Sequence, residues 1–181
     1  MVALTAEQRK ELLRLARYTL EAYVTSGVFL SYDPEDPALA VPRAAFVTLT
    51  RKTELRGCVG SISADQPLYH CVMDSAIAAA TQDRRFPPVR AEELREITIH
   101  ISVLSALRRI SHIGEIELGC HGLVVGLGTA RGILLPQVPI DYGWDVQRFA
   151  EQTCRKAGLD PSAWSQNAVM EVFTTDAFCE P

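Results

Sequence analysis

"AAFVTLTRKTELRGCVGSI", residues 44–62, decides how the rest of the chain is read. Two runs of apolar and β-branched residues, "AAFVTLT" and "LRGCVGSI", flank the polar piece "RKTE", which is the pattern of two strands joined by a hairpin turn. Side chains alternate between the two faces of a strand. Leu55, Gly57 and Val59 therefore fall on one face, and Glu54, Arg56, Cys58 and Gly60 on the other. This places Arg56 beside Cys58, and a guanidinium beside a thiol favours the thiolate, the nucleophilic form. Gly57 and Gly60 leave backbone uncovered, so that a ligand or a second segment can come close. The same residues also have a packing explanation, because glycines permit a bulge and a free cysteine is among the most buried residue types. On these residues alone both readings stay open.

Outward from the hairpin, the pattern alternates between helix and strand. Thr5 to Gln8 has the form of a capping box, and Leu12, Leu13, Ala16, Leu20, Tyr23 and Val24 follow helical spacing up to a stop at Gly27. "DQPLYHCVMDSAIAAATQD" predicts a second helix, with Leu68, Val72, Ser75, Ala76 and Ala79 on one face and "RFPPV" ending it. "REITIHISVLSAL" predicts a strand with Ile97, Ile99, Ile101 and Val103 pointing one way and His100 the other. "HGLVVGL" and "GILLPQV" predict a hairpin across "GTAR". A helix follows from about Asp145 to Ala157, and "AVMEVF" predicts the last strand. Helices at the ends and strand pairs in the middle make the fold class α+β, with a mostly antiparallel sheet flanked by helices.

The bulk numbers narrow the function classes. A chain of 181 residues, 48% hydrophobic and 22% charged, fits one soluble domain with a sizeable core. A net charge of −4 argues against a broad basic surface for nucleic acid. No apolar run reaches the roughly 18 residues of a membrane span, and no N-terminal signal is visible. Five cysteines, Cys58, Cys71, Cys120, Cys154 and Cys179, are odd in number and widely spaced, with no zinc-ligand pattern. The expectation is free thiols in a reducing, cytoplasmic compartment, with no metal and no cofactor.

Candidate chemistry centres on Cys58. A thiol nucleophile needs a base, commonly histidine. His121, beside Gly122 at the start of a strand, ranks first and His100 second; His70 and His112 are further candidates. "GLGTARG", residues 126–132, lacks the spacing and the following helix of a dinucleotide fingerprint and reads as a hairpin turn. Asp83 ahead of Arg84-Arg85-Phe86-Pro87-Pro88 suits a bidentate grip on an arginine where the chain leaves the helix. An exposed Arg85-Phe86 step equally suits recognition.

With these segments laid out, the chain resembles the AMMECR family, of the type found in the bacterial AmmeMemoRadiSam system. The family's signature is Leu-Arg-Gly-Cys-Ile-Gly, and this chain reads "LRGCVG" at residues 55–60, with Val59 for isoleucine. "AAFVTLT", "AIAAATQDRRFPPV", "ISVLS", "HGLVV", "GILLPQV" and "CRKAGL" fall in the family's order. The resemblance implies a single domain over residues 1–181 in two unequal lobes with a cleft between them. The larger lobe would come from the N- and C-terminal parts and the smaller from an internal segment. It implies no assigned activity, but radical-SAM and Memo-like proteins as partners. Carried across are Leu55 to Gly60, Asp83, Arg85, Phe86 and His121-Gly122. The working expectation is an enzyme or enzyme-like subunit for a small anionic metabolite. Cys58 is its nucleophile, His121 its acid/base, and Arg56, Gly57, Gly60 and Arg85 its ligand contacts. The alternatives are a non-enzymatic adaptor that docks a protein through the motif face, and a nucleic-acid-associated module.

Overall fold

The structure, a computed structural model, describes residues 3–181. Its first helix, α1 (Ala6–Ser26), starts at the predicted capping box: Gln8 N–H donates to Thr5 Oγ1 at 3.2 Å and Thr5 N–H to Gln8 Oε1 at 2.9 Å. It ends at Gly27, whose φ of 67° lies in the left-handed region. Leu12, Leu15, Ala16, Thr19 and Leu20 form its buried face.

Strands β1 (Ala45–Arg51) and β2 (Glu54–Gly60) form the predicted antiparallel hairpin, with Lys52 and Thr53 at positive φ in the turn. Helix α2 (Leu68–Thr81) then lies over β1 and β2. Its alanines allow that approach, since Ala76, Ala79 and Ala80 are buried beside Val72 and Leu68. Strand β3 (Ile97–Leu104) pairs antiparallel with β1 and buries Ile97, Ile99, Ile101 and Val103, as its alternation predicts. The four-stranded sheet runs β2-β1-β3-β8, where β8 is Thr175–Cys179. The C-terminal segment is tied down by Arg17, which reaches Glu180 Oε1 at 2.9 Å and the carbonyls of Leu94 and Ile97. Residues up to Leu104 together with Asp176–Pro181 make up this compact unit.

Ser105–Thr175 forms a second compact unit with its own antiparallel sheet, ordered β4-β7-β5-β6. Its strands are β4 (Arg108–Ile110), β5 (Gly122–Leu127), β6 (Ala130–Leu134) and β7 (Val169–Phe173). Helix α4 (Val146–Lys156), N-capped by Asp145, packs on β5 and β6 around buried Phe149 and Cys154. The fold is α+β, two antiparallel sheets with flanking helices, as expected.

Three details differ from the sequence reading. "GILLPQV" does not continue as a strand: β6 ends at Leu134, and Gln137–Asp141 forms the short helix α3 after Pro136. Proline lacks the N–H a strand ladder needs and suits a helix start. The three-residue strand β4 is too short to show periodicity. The chain's last strand is β8, which returns to the first sheet, rather than "AVMEVF".

Candidate functional site around Cys58

Strand β2 is an edge strand, and its register with β1 slips once. Leu49 faces Gly57 and Thr50 faces Leu55, so Arg56 is the extra residue of a β-bulge. Strict alternation from Arg56 to Cys58 therefore fails. The Arg56 guanidinium is committed elsewhere: Nε and Nη2 grip both carboxylate oxygens of Glu93 at 2.9 and 3.0 Å, while Nη1 and Nη2 donate to the carbonyls of Pro87 and Pro88. Arg56 holds the Glu93 carboxyl at about 2, well below its usual value, with the Arg90 amide assisting and burial opposing. Arg56 is thus a clamp between the bulge and the segment after α2. Its guanidinium, expected from the sequence to contact a ligand, is engaged in this structure by Glu93 and the two proline carbonyls.

At both glycines it is a second chain segment that comes close to the bare backbone. A Cβ on Gly57 would stand 2.1 Å from the carbonyl oxygen of Ala79, so this face of β2 is closed by α2. A Cβ on Gly60 would meet the Ala45 carbonyl oxygen at 2.3 Å and Phe46 at 2.5 Å. Both residues serve close packing.

Cys58 lies on the other face, half-buried. Thr48, its register partner on β1, donates Oγ1–H to Cys58 Sγ at 3.1 Å. The Cys58 N–H points off the free edge of β2 and donates to Asp83 Oδ2 at 2.9 Å. Asp83 in turn grips Arg85, accepting from Nε at 2.9 Å, from Nη2 at 2.6 Å and from the Arg85 amide at 3.1 Å. The Asp83 side chain is 7% exposed and that of Arg85 53%, so the carboxylate is sealed while the guanidinium stays open to solvent. The Arg85 pair, joined by the Cys58 and Arg85 amides and opposed by burial, pushes the Asp83 carboxyl far below the usual carboxylate range. Arg85 is raised mainly by Asp83, and negative charge on Cys58 adds to it. The guanidinium also lies over the Phe86 ring, 5.5 Å from its centroid.

The histidines separate into three situations. His100 faces Thr48 across the β1–β3 pairing, so Cys58, Thr48 and His100 form a polar row over three strands. Its Nε2 is 3.0 Å from Thr50 Oγ1, and two strand spacings, about 10 Å between backbones, separate it from Cys58. His121 belongs to the second unit, where Nδ1 accepts the Glu117 N–H at 3.0 Å and closes the turn over residues 117–121. His70 is exposed on α2, and His112 Nδ1 caps the turn at Gly114. Neither joins the site.

Sequence reasoning missed Thr48 and the amide-holding role of Asp83. The first was hidden by the bulge, because counting back through the hairpin turn in regular register sets Val47, not Thr48, opposite Cys58. The second needs the turn after α2 in three dimensions. Among the described residues, no group of three or more His, Cys, Asp or Glu side chains is arranged to hold a metal ion. Nor is any helix long and apolar enough to cross a membrane.

Comparison with known proteins agrees with this architecture. The AMMECR1 family model matches residues 13–178. Protein MK0488 of Methanopyrus kandleri is 40% identical over 187 residues, covering 98% of this chain and 90% of the relative. A protein of Thermococcus gammatolerans is 42% identical over 182 residues, covering 93% and 88%. The crystal structure of the uncharacterized protein PH0010 from Pyrococcus horikoshii superposes with a TM-score of 0.93 at 35% identity, covering 98% of this chain and 93% of that one. With a family model and full-length relatives both agreeing, the chain belongs to the AMMECR1 family.

Proposed function

We propose that Cys58 is the working thiol of an enzyme or enzyme-like subunit that acts on a small anionic metabolite, with Arg85 binding the anionic group. The observation that carries this reading is the Asp83 bridge. One sealed carboxylate fixes the Cys58 amide and at the same time grips the solvent-open guanidinium of Arg85. A purely packed cysteine needs no such bridge. Thr48 adds a hydroxyl donor to the sulfur. His121 remains the proposed acid/base, with His100 on the polar row as the second candidate. Radical-SAM and Memo-like proteins are the proposed partners, and the cytoplasm the proposed compartment.

Competitive alkylation tests the reading. Iodoacetate carries the charge Arg85 would recruit and iodoacetamide does not. Labelling is read peptide by peptide, with the exposed Cys120 and Cys179 as internal references. The expected result is an iodoacetate-to-iodoacetamide rate ratio at Cys58 at least about fivefold above theirs, collapsing to theirs in Arg85→Gln. Equal ratios in the wild type would overturn the anion site, and labelling of Cys58 only after unfolding would overturn the working thiol.

A second reading has its own observation. β2 is a free edge and Leu55 on it is 41% exposed, which suits an adaptor that docks a protein segment along the motif strand. Under that reading Leu55→Glu abolishes partner binding, while Cys58→Ser leaves it intact.

A further inference from the structure

The second unit carries a cavity of about 350 Å³ between the end of β4 and the turn that precedes β7. That volume lies at the lower end of the roughly 300–1,000 Å³ usual for small-molecule sites. Arg109, Ser111, His112, Trp164 and Gln166 supply its chemistry, and no carboxylate lines it. Trp164 packs partly buried against the core of this unit and lines the cavity. The Arg109 guanidinium is exposed and meets no hydrogen-bond or ion-pair partner among the described residues. His112 is orientated by its own turn: Nδ1 accepts the Gly114 N–H at 2.9 Å, which leaves Nε2 as the nitrogen with a proton to donate. The carboxylate on this turn, Glu115, is already occupied by the Ser111 and His112 amides and by Arg108.

The lining thus combines an aromatic face with donors and a cation, and offers no acidic group in return. An unpaired guanidinium and an imidazole N–H recognise an oxyanion, and an indole face recognises a flat ring. We infer that this cavity binds a small planar anion, an aromatic ring bearing one carboxylate or phosphate, with the ring against Trp164 and the anion on Arg109 and His112. The site lies wholly within the second unit and is independent of the thiol chemistry proposed for Cys58.

The chain has two tryptophans, so two indole N–H signals report in an NMR titration of the full ¹⁵N-labelled protein. Trp164→Phe identifies which belongs to the cavity. Adenosine monophosphate and 4-hydroxybenzoate are the ring-plus-anion probes; adenosine and inorganic phosphate supply each half alone. The expected result is a saturable shift of the Trp164 indole by at least one ring-plus-anion probe, with Trp144 unmoved, and binding at least tenfold weaker for the matching halves. Which probe binds decides between phosphate and carboxylate. Arg109→Gln, an exposed position, is expected to weaken binding about ten- to a hundredfold, and Cys58→Ser to leave it unchanged. No shift of the Trp164 indole up to about 10 mM of either anion overturns the site. Equal binding of adenosine or of phosphate alone, or an unaltered Arg109→Gln titration, overturns the ring-plus-anion assignment.

Discussion

Gly57→Ala is the sharpest perturbation of the signature strand. The added Cβ would sit 2.1 Å from the carbonyl oxygen of Ala79 and 3.0 Å from its carbonyl carbon, both backbone atoms inside α2. Ordinary contact is about 3.5 Å, so strand and helix must part by about 1.4 Å. No rotamer relieves this, because neither partner is a side chain. A radial gap of 0.5–1 Å already forfeits a quarter to a half of the dispersion well, and here it opens along the row where Val47, Leu49 and Val72 are fully buried. Overpacking of a tight core costs about 1–3 kcal/mol, and this site belongs at the upper end. The smaller unfolded-state entropy of alanine returns about 0.4–1 kcal/mol. The expected net loss is about 2–3 kcal/mol, or about 4–12 °C in Tm for a chain of this size. Urea unfolding followed by circular dichroism measures it, with Gly27→Ala as comparison. Gly27 has a φ of 67° and nothing within 4 Å of an added Cβ, so its replacement costs only the left-handed strain, about 1 kcal/mol. A Gly57→Ala protein within 1 kcal/mol of wild type, or more stable than Gly27→Ala, would refute the close-approach argument.

Further expectations concern the charges and the thiol. Arg56→Ala leaves the Glu93 carboxylate without its partner and is expected to destabilise by about 3 kcal/mol, with most of the loss recovered in the Arg56→Ala/Glu93→Gln double variant; a denaturant-based double-mutant cycle reads the coupling. Glu93 and Asp83 both have carboxyls depressed in the folded state, so the stability they add is fully present above the ordinary carboxylate range and drains away as pH falls from about 5 toward 2. Acid titration of the wild type against Glu93→Gln should therefore show a shallower loss in the variant, and an identical slope would count against the clamp. Thr48→Val removes the hydroxyl that donates to Cys58 Sγ and is expected to slow iodoacetamide labelling of Cys58 about three- to tenfold, an effect absent at Cys120. Cys58→Ser is expected to unfold within about 1 kcal/mol of wild type, because the half-buried position already offers a hydroxyl partner at Thr48; a loss above about 2 kcal/mol would favour the packed-cysteine reading.

Much of the fold was legible because periodicity survives wherever a face is buried. The alternation of Ile97, Ile99, Ile101 and Val103, the Thr5 capping box and the Gly27 stop all appear where the pattern placed them. Elements that failed to announce themselves lack such a pattern. β4 spans three residues, and β8 buries so little that "TDAFC" carries no clear alternation. The site was legible as a motif but not as an arrangement. A single register slip between Leu49 and Thr50 removed Arg56 from the thiol's row, and no local signal distinguishes that bulge from a regular strand. Asp83 and Arg85 stand 25 and 27 positions after Cys58, and only the return of the chain after α2 brings them to the edge of β2.

The geometry also explains why glycine and cysteine are neighbours in "LRGCVG". Consecutive strand residues face opposite ways, so pressing Gly57 against α2 presents Cys58 on the far face. The helix that closes one side ends at Thr81, two residues before Asp83, so the same helix sets the height of the strand and delivers the carboxylate that holds its amide. Position of the sulfur and position of the cation are therefore coupled through α2. A side chain at residue 57 lifts the strand away from Asp83 as well as from Ala79. It follows that Gly57→Ala should lose the charge selectivity of Cys58 labelling even under conditions where the protein stays folded. A folded Gly57→Ala protein that keeps the wild-type ratio of iodoacetate to iodoacetamide would break that coupling and leave the glycine a packing residue alone.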